Sequence, residues 1–354
     1  MTEMKIYMPD FGKSFACIGG RCPDNCCRQG WQISVDEPHR KLYETMPEAQ
    51  DAVNCRDGEV MLSMHGGTCD LLRRDGLCTL AAKYGEEALC HICHTHPRLI
   101  EQYGSRREIH FSLSCPEVAR LALERTNALR FTENTDEEQI SEPNELDPKQ
   151  YFTLLKLRRL CIRIMQDRTV SVRDRIMLVL RLGFRMQRCM DCGKYTLCVR
   201  LLSRWYDADY RLRQLAKLKR LQYRPTSRLA DLVLLEKLEH LTEEICRLLP
   251  KMKNTALDTR PCIHAAENLI VLWLSHYIPK AVNDNHILSK IEFAVFGWLF
   301  VCRACAAAGK SELKDIEHYA GLFAKEAEHS EDNLRLYFET WRSPGWYEHF
   351  LAEI

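Results

Sequence analysis

Residues 17–27 read CIGGRCPDNCC. Four thiols, Cys17, Cys22, Cys26 and Cys27, fall within eleven residues, with Gly19, Gly20 and Pro23 between them. Glycine lets the backbone fold back on itself, and proline excludes a regular helix or a central strand. The segment therefore reads as a tight loop that brings several sulfurs into one small volume. Thiolates gathered in this way suit zinc, and equally an iron–sulfur cluster.

Further sulfurs follow: Cys69 and Cys78, then Cys90 and Cys93, then Cys115. Ten of the eighteen cysteines lie in residues 1–130. The chain is long, and its opening MTEMKIYMPDF is charged and lacks an apolar run. Metal or redox use of cysteine is therefore expected rather than a secreted disulfide framework. His91, His94 and His96 flank Cys93 and read as loop residues beside a sulfur-rich site. Cys302 and Cys305, and Cys189, Cys192 and Cys198, read as ordinary core thiols.

Residues 1–130 are expected to form an irregular, Cys-rich metal-binding domain with short elements. Brief strands are expected at Ile33–Val35 and Val60–Leu62. Another is expected where Ile109, Phe111 and Leu113 alternate with His110, Ser112 and Ser114. Short helices are expected around 37–53, 78–90 and 116–128. Residues 131–148 carry seven acids and no base, and read as a solvated linker. From 149 to 354 the periodicity is helical. Ser171 and Asp174 resemble a capping box. Behind them Val172, Ile176, Val179, Leu180, Gly183 and Met186 share one face. The pattern repeats over Leu229–Leu249 and Ala265–Tyr277. Ile287–Ala308 is apolar almost all round, as a buried central helix would be. Prolines 225, 250, 261 and 279 punctuate the elements. The expected fold is mainly α, with the Cys-rich domain followed by a bundle of seven to nine helices.

The 354 residues include 50 Lys and Arg against 49 Asp and Glu, which gives no overall attraction to nucleic acid or anionic lipid. The longest uncharged apolar run, Phe293–Cys302, is ten residues, half of what a bilayer span needs. A soluble, cytoplasmic protein is expected. No phosphate-binding glycine loop, GxSxG elbow or HExxH motif is present.

CIGGRCPDNCCRQGWQISVDEPHRKLYE, then CDLLRRDGLC, the CHTHPR stretch from Cys93 and SLSCPEVARL resemble the flagellin lysine-N-methylases. That family shares its Cys-rich segment with a group of zinc- or iron-chelating proteins. The likeness is dense over residues 10–125. In the helical half it rests on a phrase at Glu267-Asn268-Leu269. It implies methyl transfer from S-adenosylmethionine to lysines of flagellin, and an iron–sulfur cluster of the four-iron type, with zinc as the alternative. The positions matching the family's thiol pattern are Cys17, Cys22, Cys26, Cys27, Cys69, Cys78, Cys93 and Cys115. Cys55 and Cys90 fall outside it. The spacing CxxxCC differs from the CxxxCxxC of radical enzymes, so a polar transfer is expected. Trp31, Asp36 and Glu267 read as packing or surface pairs rather than as site residues. The rival reading is a non-catalytic chelator using the same thiols.

Overall fold

The computed structural model describes residues 4–56, 58–136, 146–221, 230–260 and 262–354. Pro225, Pro261 and residues 137–145 of the expected linker lie outside them.

The N-terminal half is organised by a four-stranded sheet in the order Arg98–Tyr103, Arg106–Phe111, Met4–Pro9, Phe131–Asp136. The first pair is a hairpin turning at Gly104-Ser105. Met4–Pro9 runs parallel to Arg106–Phe111 and antiparallel to Phe131–Asp136. The acidic stretch expected to be solvated thus begins as an edge strand. Its charge is balanced locally, since Arg106 Nη1 lies 2.7 Å from Glu133 and Lys5 Nζ lies 3.9 Å away. Of the other expected strands, Glu59–Leu62 forms a hairpin with Val53–Arg56, whereas Ile33–Val35 is reduced to one bridge, Ser34 to Met61. A two-residue turn at Gly66-Gly67, both with positive φ, joins Met64–His65 to Thr68–Cys69.

Around Arg106–Phe111 both faces are covered: Phe111 and Leu113 are buried as the alternation implies, and so are the polar positions between them. Glu108 and His110 are buried, while Ile109 is only partly so. The reason is an ion network that periodicity cannot show. Arg158 Nη1 and Arg106 Nε donate to Glu108, the latter at 2.9 Å, and His110 Nε2 lies 3.3 Å from it. Opposed charges that complete one another's hydrogen bonds can be buried together.

The C-terminal half holds eleven helices among the described residues, two more than the upper expectation. The Leu229–Leu249 pattern is divided between Ala230–Leu235 and Glu243–Asn254, and the C-terminus adds Glu331–Thr340 and Trp346–Glu353. Pro250 lies inside its helix near the C-terminal end. There the lost N–H bond disrupts little of the helix, because few turns remain beyond it. Ser171 caps Val172–Asp191, its side chain accepting from Asp174 N. Ile287–Ala308 is the central helix, packed against Ile263–Lys280, Val172–Asp191, Leu313–Glu328 and Glu243–Asn254. It is long and apolar enough to cross a membrane by composition, yet it is enclosed by its neighbours. A Cβ on its Gly297 would come within 2.7 Å of both Trp273 and Phe323, so glycine permits the close packing here.

Two main apolar cores result. The larger joins Phe11, Phe15, Phe111, Leu113 and Val118 to the helical bundle. The smaller spans residues 35–90, from Val35 and Tyr43 to Leu80 and Cys90, with Cys27, Cys78 and Cys93 packed on it. The sheet thus shares a core with the helices, and the Cys-rich loops keep a small one of their own.

A thiol cluster and the cavity beside it

Two segments of loop bring the sulfurs together. Residues 17–28 contain two short 3-10 turns, Gly19–Arg21 and Cys26–Arg28, the second capped by the Asn25 side chain accepting from Cys27 N. The same Asn25 donates through Nδ2 to Gly76 O at 3.0 Å, tying this loop to the one between Cys69 and Cys78. The contact needs two glycines. A Cβ on Gly20 would sit 2.2 Å from the Asp75 carbonyl oxygen, and one on Gly76 2.8 Å from the Gly20 Cα. Gly76 also has φ of 81°. Gly20→Ala is therefore expected to push the loops apart, costing about 1–3 kcal/mol as overpacking does. Thermal unfolding together with bound metal per chain would check this, both falling together.

The third segment is the short helix His91–Thr95, which carries Cys93 and starts after Cys90. Asp36 holds its N-terminus, Oδ1 accepting from His91 N at 2.6 Å. Tyr43 OH accepts from Cys90 N at 2.9 Å. Cys26 and Cys27 share a thiol hydrogen bond, as do Cys90 and Cys93. Cys27 feels the charge of Cys69 and Cys78, and Cys93 that of Cys26 and Cys27. The hydrogen bond from the neighbouring thiol brings Cys26 and Cys90 down to about 7, while it and burial hold Cys27 and Cys93 well up as thiols. Burial, with smaller contributions from Cys78, Asp70 and Cys90, lifts Cys69 to about 11.

Five of the eight cysteines matching the family pattern thus meet: Cys26, Cys27, Cys69, Cys78 and Cys93. Cys90, which falls outside that pattern, joins them, and its CxxC spacing with Cys93 was the available signal. Cys17, Cys22 and Cys115 form a second group, in which Cys115 feels Cys22 and Cys17, and Cys22 also feels Cys26. Cys55 is exposed on the Val53–Arg56 strand. His91 and His94 are exposed, and His96 packs at 5.4 Å from Trp31. Among the described residues no three His, Cys, Asp or Glu side chains surround one point closely enough to hold a single ion. A mononuclear zinc needs its sulfurs at about 2.3 Å. A cluster takes one thiolate per iron, so its ligands stand apart by the cluster's own width. The donor set fits a cluster in number and softness.

The helix His91–Thr95 also borders a cavity of about 270 Å³. Leu99, Ile100 and Leu334 supply its apolar lining; Glu101, His276 and Glu328 are among its polar groups. Arg98, Tyr277 and Lys280 are further polar groups of the lining. Lys280 Nζ is 2.5 Å from Glu101. Despite burial, His276 and Lys280 hold Glu101 down at about 2. Glu328 accepts from Ser112 Oγ at 2.6 Å and from Tyr277 OH at 3.3 Å. Burial lifts it to about 7. His276 is buried, stacked 4.6 Å from His110, and its Nε2 has no hydrogen-bond partner. Burial keeps it neutral. From Ser112 a hydroxyl ladder leads through Ser114, at 2.9 Å, to His329 Nε2, 2.8 Å further. His329 lies 4.5 Å from the Trp31 ring.

Glu267 is a clamp, with Arg168 Nη2 at 2.9 Å and Arg175 Nη1 at 2.8 Å. Asn268 Nδ2 donates to Ala122 O at 2.9 Å, fastening the Pro116–Leu123 helix. The phrase at 267–269 thus joins the two halves of the chain rather than lining the cavity.

Residues 158–343, more than half of the chain, match the model of the FliB lysine N-methylase C-terminal domain. A lysine-N-methylase of Salmonella typhimurium is 32% identical over 162 residues, covering 42% of this chain and 40% of its own length. The counterpart in Salmonella choleraesuis gives the same values. The flagellar biosynthetic protein FliU of Salmonella muenchen is 32% identical over 145 residues, 38% of this chain and 85% of its own. The match thus spans two fifths of the lysine-N-methylases. No solved structure matches the chain.

Proposed function

The chain belongs to the family of the FliB lysine N-methylase C-terminal domain, and from that membership we propose that it methylates lysine side chains of flagellin with S-adenosylmethionine as donor. We further propose that the N-terminal thiols hold an iron–sulfur cluster of the four-iron type. The observation that carries the reading is the shared helix His91–Thr95, which presents Cys93 to the sulfur group and lines a cavity containing two carboxylates. Cys26, Cys27, Cys69, Cys78, Cys90 and Cys93 are the residues that would hold the cluster. When bound, a cluster supplies a staple for loops with a small core, and an iron able to hold the donor's amino and carboxylate groups.

The chain's own part is to bind a lysine, strip its proton and keep water out. A lysine ammonium is not nucleophilic, and its ordinary pKa near 10.4 leaves little free amine at neutral pH. A half-buried carboxylate beside apolar side chains is suited to removing that proton.

The test is genetic and analytical together. Flagellin from a strain lacking this gene is expected to have lost its methyllysines by mass spectrometry, and to regain them on complementation. Protein purified without air is expected to be brown, with matching iron and sulfide. Flagellin of unchanged mass, with a colourless protein holding exchangeable zinc, would favour the chelator instead.

A further inference from the structure

Methyl transfer to lysine requires a place for the side chain to enter and a group to take its proton. Of the polar groups around the cavity, Lys280 and Glu101 already satisfy one another. Lys280 also lies 5.7 Å from the Tyr277 ring centre. The cavity thus already holds one lysine ammonium, the chain's own, between a carboxylate and an aromatic face. Glu328 is different. It accepts from the Ser112 and Tyr277 hydroxyls and from Trp273, and it forms no salt bridge among the described residues, although the charge of Lys280 reaches it. It ends the helix Leu313–Glu328 and is only partly buried where it meets the cavity. Beside it the buried His276 makes no hydrogen bond at Nε2, which lies 3.9 Å from Glu101. A carboxylate with no salt bridge of its own, beside an imidazole nitrogen with no hydrogen bond, leaves the cavity able to accept a cationic, hydrogen-bonding group.

We propose that this cavity receives the side chain of the lysine to be methylated, and that Glu328 is the base that takes its proton. This rests on the methyltransferase reading above. The butyl stem would lie along Leu99, Ile100 and Leu334, with the nitrogen between Glu328 and Tyr277. One N–H bond of the ammonium breaks and its electron pair stays on nitrogen as the lone pair. The proton goes to a carboxylate oxygen of Glu328. The charge on the amine falls from +1 to 0 and that on Glu328 rises from −1 to 0. Ser112 and Tyr277 orient the carboxylate through their hydroxyls and are positioning residues. The groups facing Glu328 are Tyr277, Lys280 and Trp273 on one helix and Ser112 just beyond the strand Arg106–Phe111. Glu101, His276, Arg98 and His91 stand around the same cavity.

The test is the pH profile of methyl transfer by the full chain, loaded with its metal, to a lysine-containing flagellin. Glu328 lies near 7 because burial raises it, so the unprotonated base is present above that pH. The wild-type rate is expected to rise through about pH 7 and then level. In Glu328→Gln the rate at pH 7 is expected to fall by about 10²–10⁴-fold, the usual worth of a positioned base. The plateau is expected to be replaced by a steady tenfold rise per pH unit, as only free amine then reacts. Tyr277→Phe removes a hydrogen bond that holds Glu328 down, so its rise is expected to move to higher pH with a similar plateau. That variant decides the matter if the glutamine variant fails to fold. A folded Glu328→Gln protein with the wild-type profile, or a Tyr277→Phe profile that does not move, would overturn the assignment and leave the methyltransferase reading standing. Absence of transfer by the wild-type chain would overturn both.

Discussion

Cys93→Ala protein is expected to come from anaerobic purification without iron or sulfide and without methyl transfer, whereas Cys55→Ala keeps both. Cys93 sits among six thiols on a helix that also borders the cavity. Losing it removes a proposed ligand from the sulfur group and frees the segment that lines the cavity. The fall in activity is expected to exceed the about 10–100-fold that loss of a mere outer-shell partner costs a metal site. Cys55 is exposed on the hairpin strand Val53–Arg56. Cys90→Ala is expected to behave like Cys93→Ala, because Cys90 is buried and shares a thiol hydrogen bond with it. Metal analysis and the visible spectrum decide this directly, since a chain that retained iron after losing Cys93 would place the cluster on other sulfurs.

The largest loss of stability is expected at the sheet–helix junction, from Glu108→Leu. Glu108 is fully buried, and Arg158, only 4% exposed, depends on it. Arg158 has otherwise the Ser275 carbonyl at 3.2 Å and the Tyr7 ring at 4.1 Å. Burial pushes Glu108 upward, but Arg158 and His110 hold it well below the usual carboxylate range. Removing one partner of such a pair leaves a buried charge uncompensated, at about 3–5 kcal/mol. Denaturant unfolding would measure it. The double variant Glu108→Leu/Arg158→Met is expected to recover most of the loss, because neither charge is then stranded. Since the folded pKa of Glu108 is depressed, its stabilisation is present above the unfolded value near 4.3 and is lost as pH falls below it.

Much of the helical half was legible from local pattern. Ser171 caps its helix as its spacing with Asp174 implies, and Ile287–Ala308 is the buried helix its composition calls for. The sheet was harder to read for physical reasons. MKIYMP at 4–9 and FTENTD at 131–136 alternate weakly, and their pairing is matched by contacts between strands, Tyr7 stacked on Phe131 and Arg106 beside Glu133. Glu108 and His110 face inward because Arg158, fifty positions on, lies against them. The thiol group was visible as a dense run of cysteines, but its membership was not. Whether Cys90 or Cys17 joins it depends on how three loops meet, through Asn25 with Gly76 and through Asp36 with His91. The cavity had no local signature at all. Glu101, His276 and Glu328 come from a strand and two helices far apart in sequence, and only packing unites them.

The proposed activity of this chain is methyl transfer to lysine. The most direct measurement is to mix the anaerobically purified full chain with S-adenosylmethionine labelled on its methyl carbon and unmodified flagellin, then map the label by mass spectrometry. Label on lysine side chains, appearing with S-adenosylhomocysteine in equal amount and absent when the chain is omitted, is the expected result. No labelled lysine from protein carrying its full complement of iron and sulfide would contradict the account.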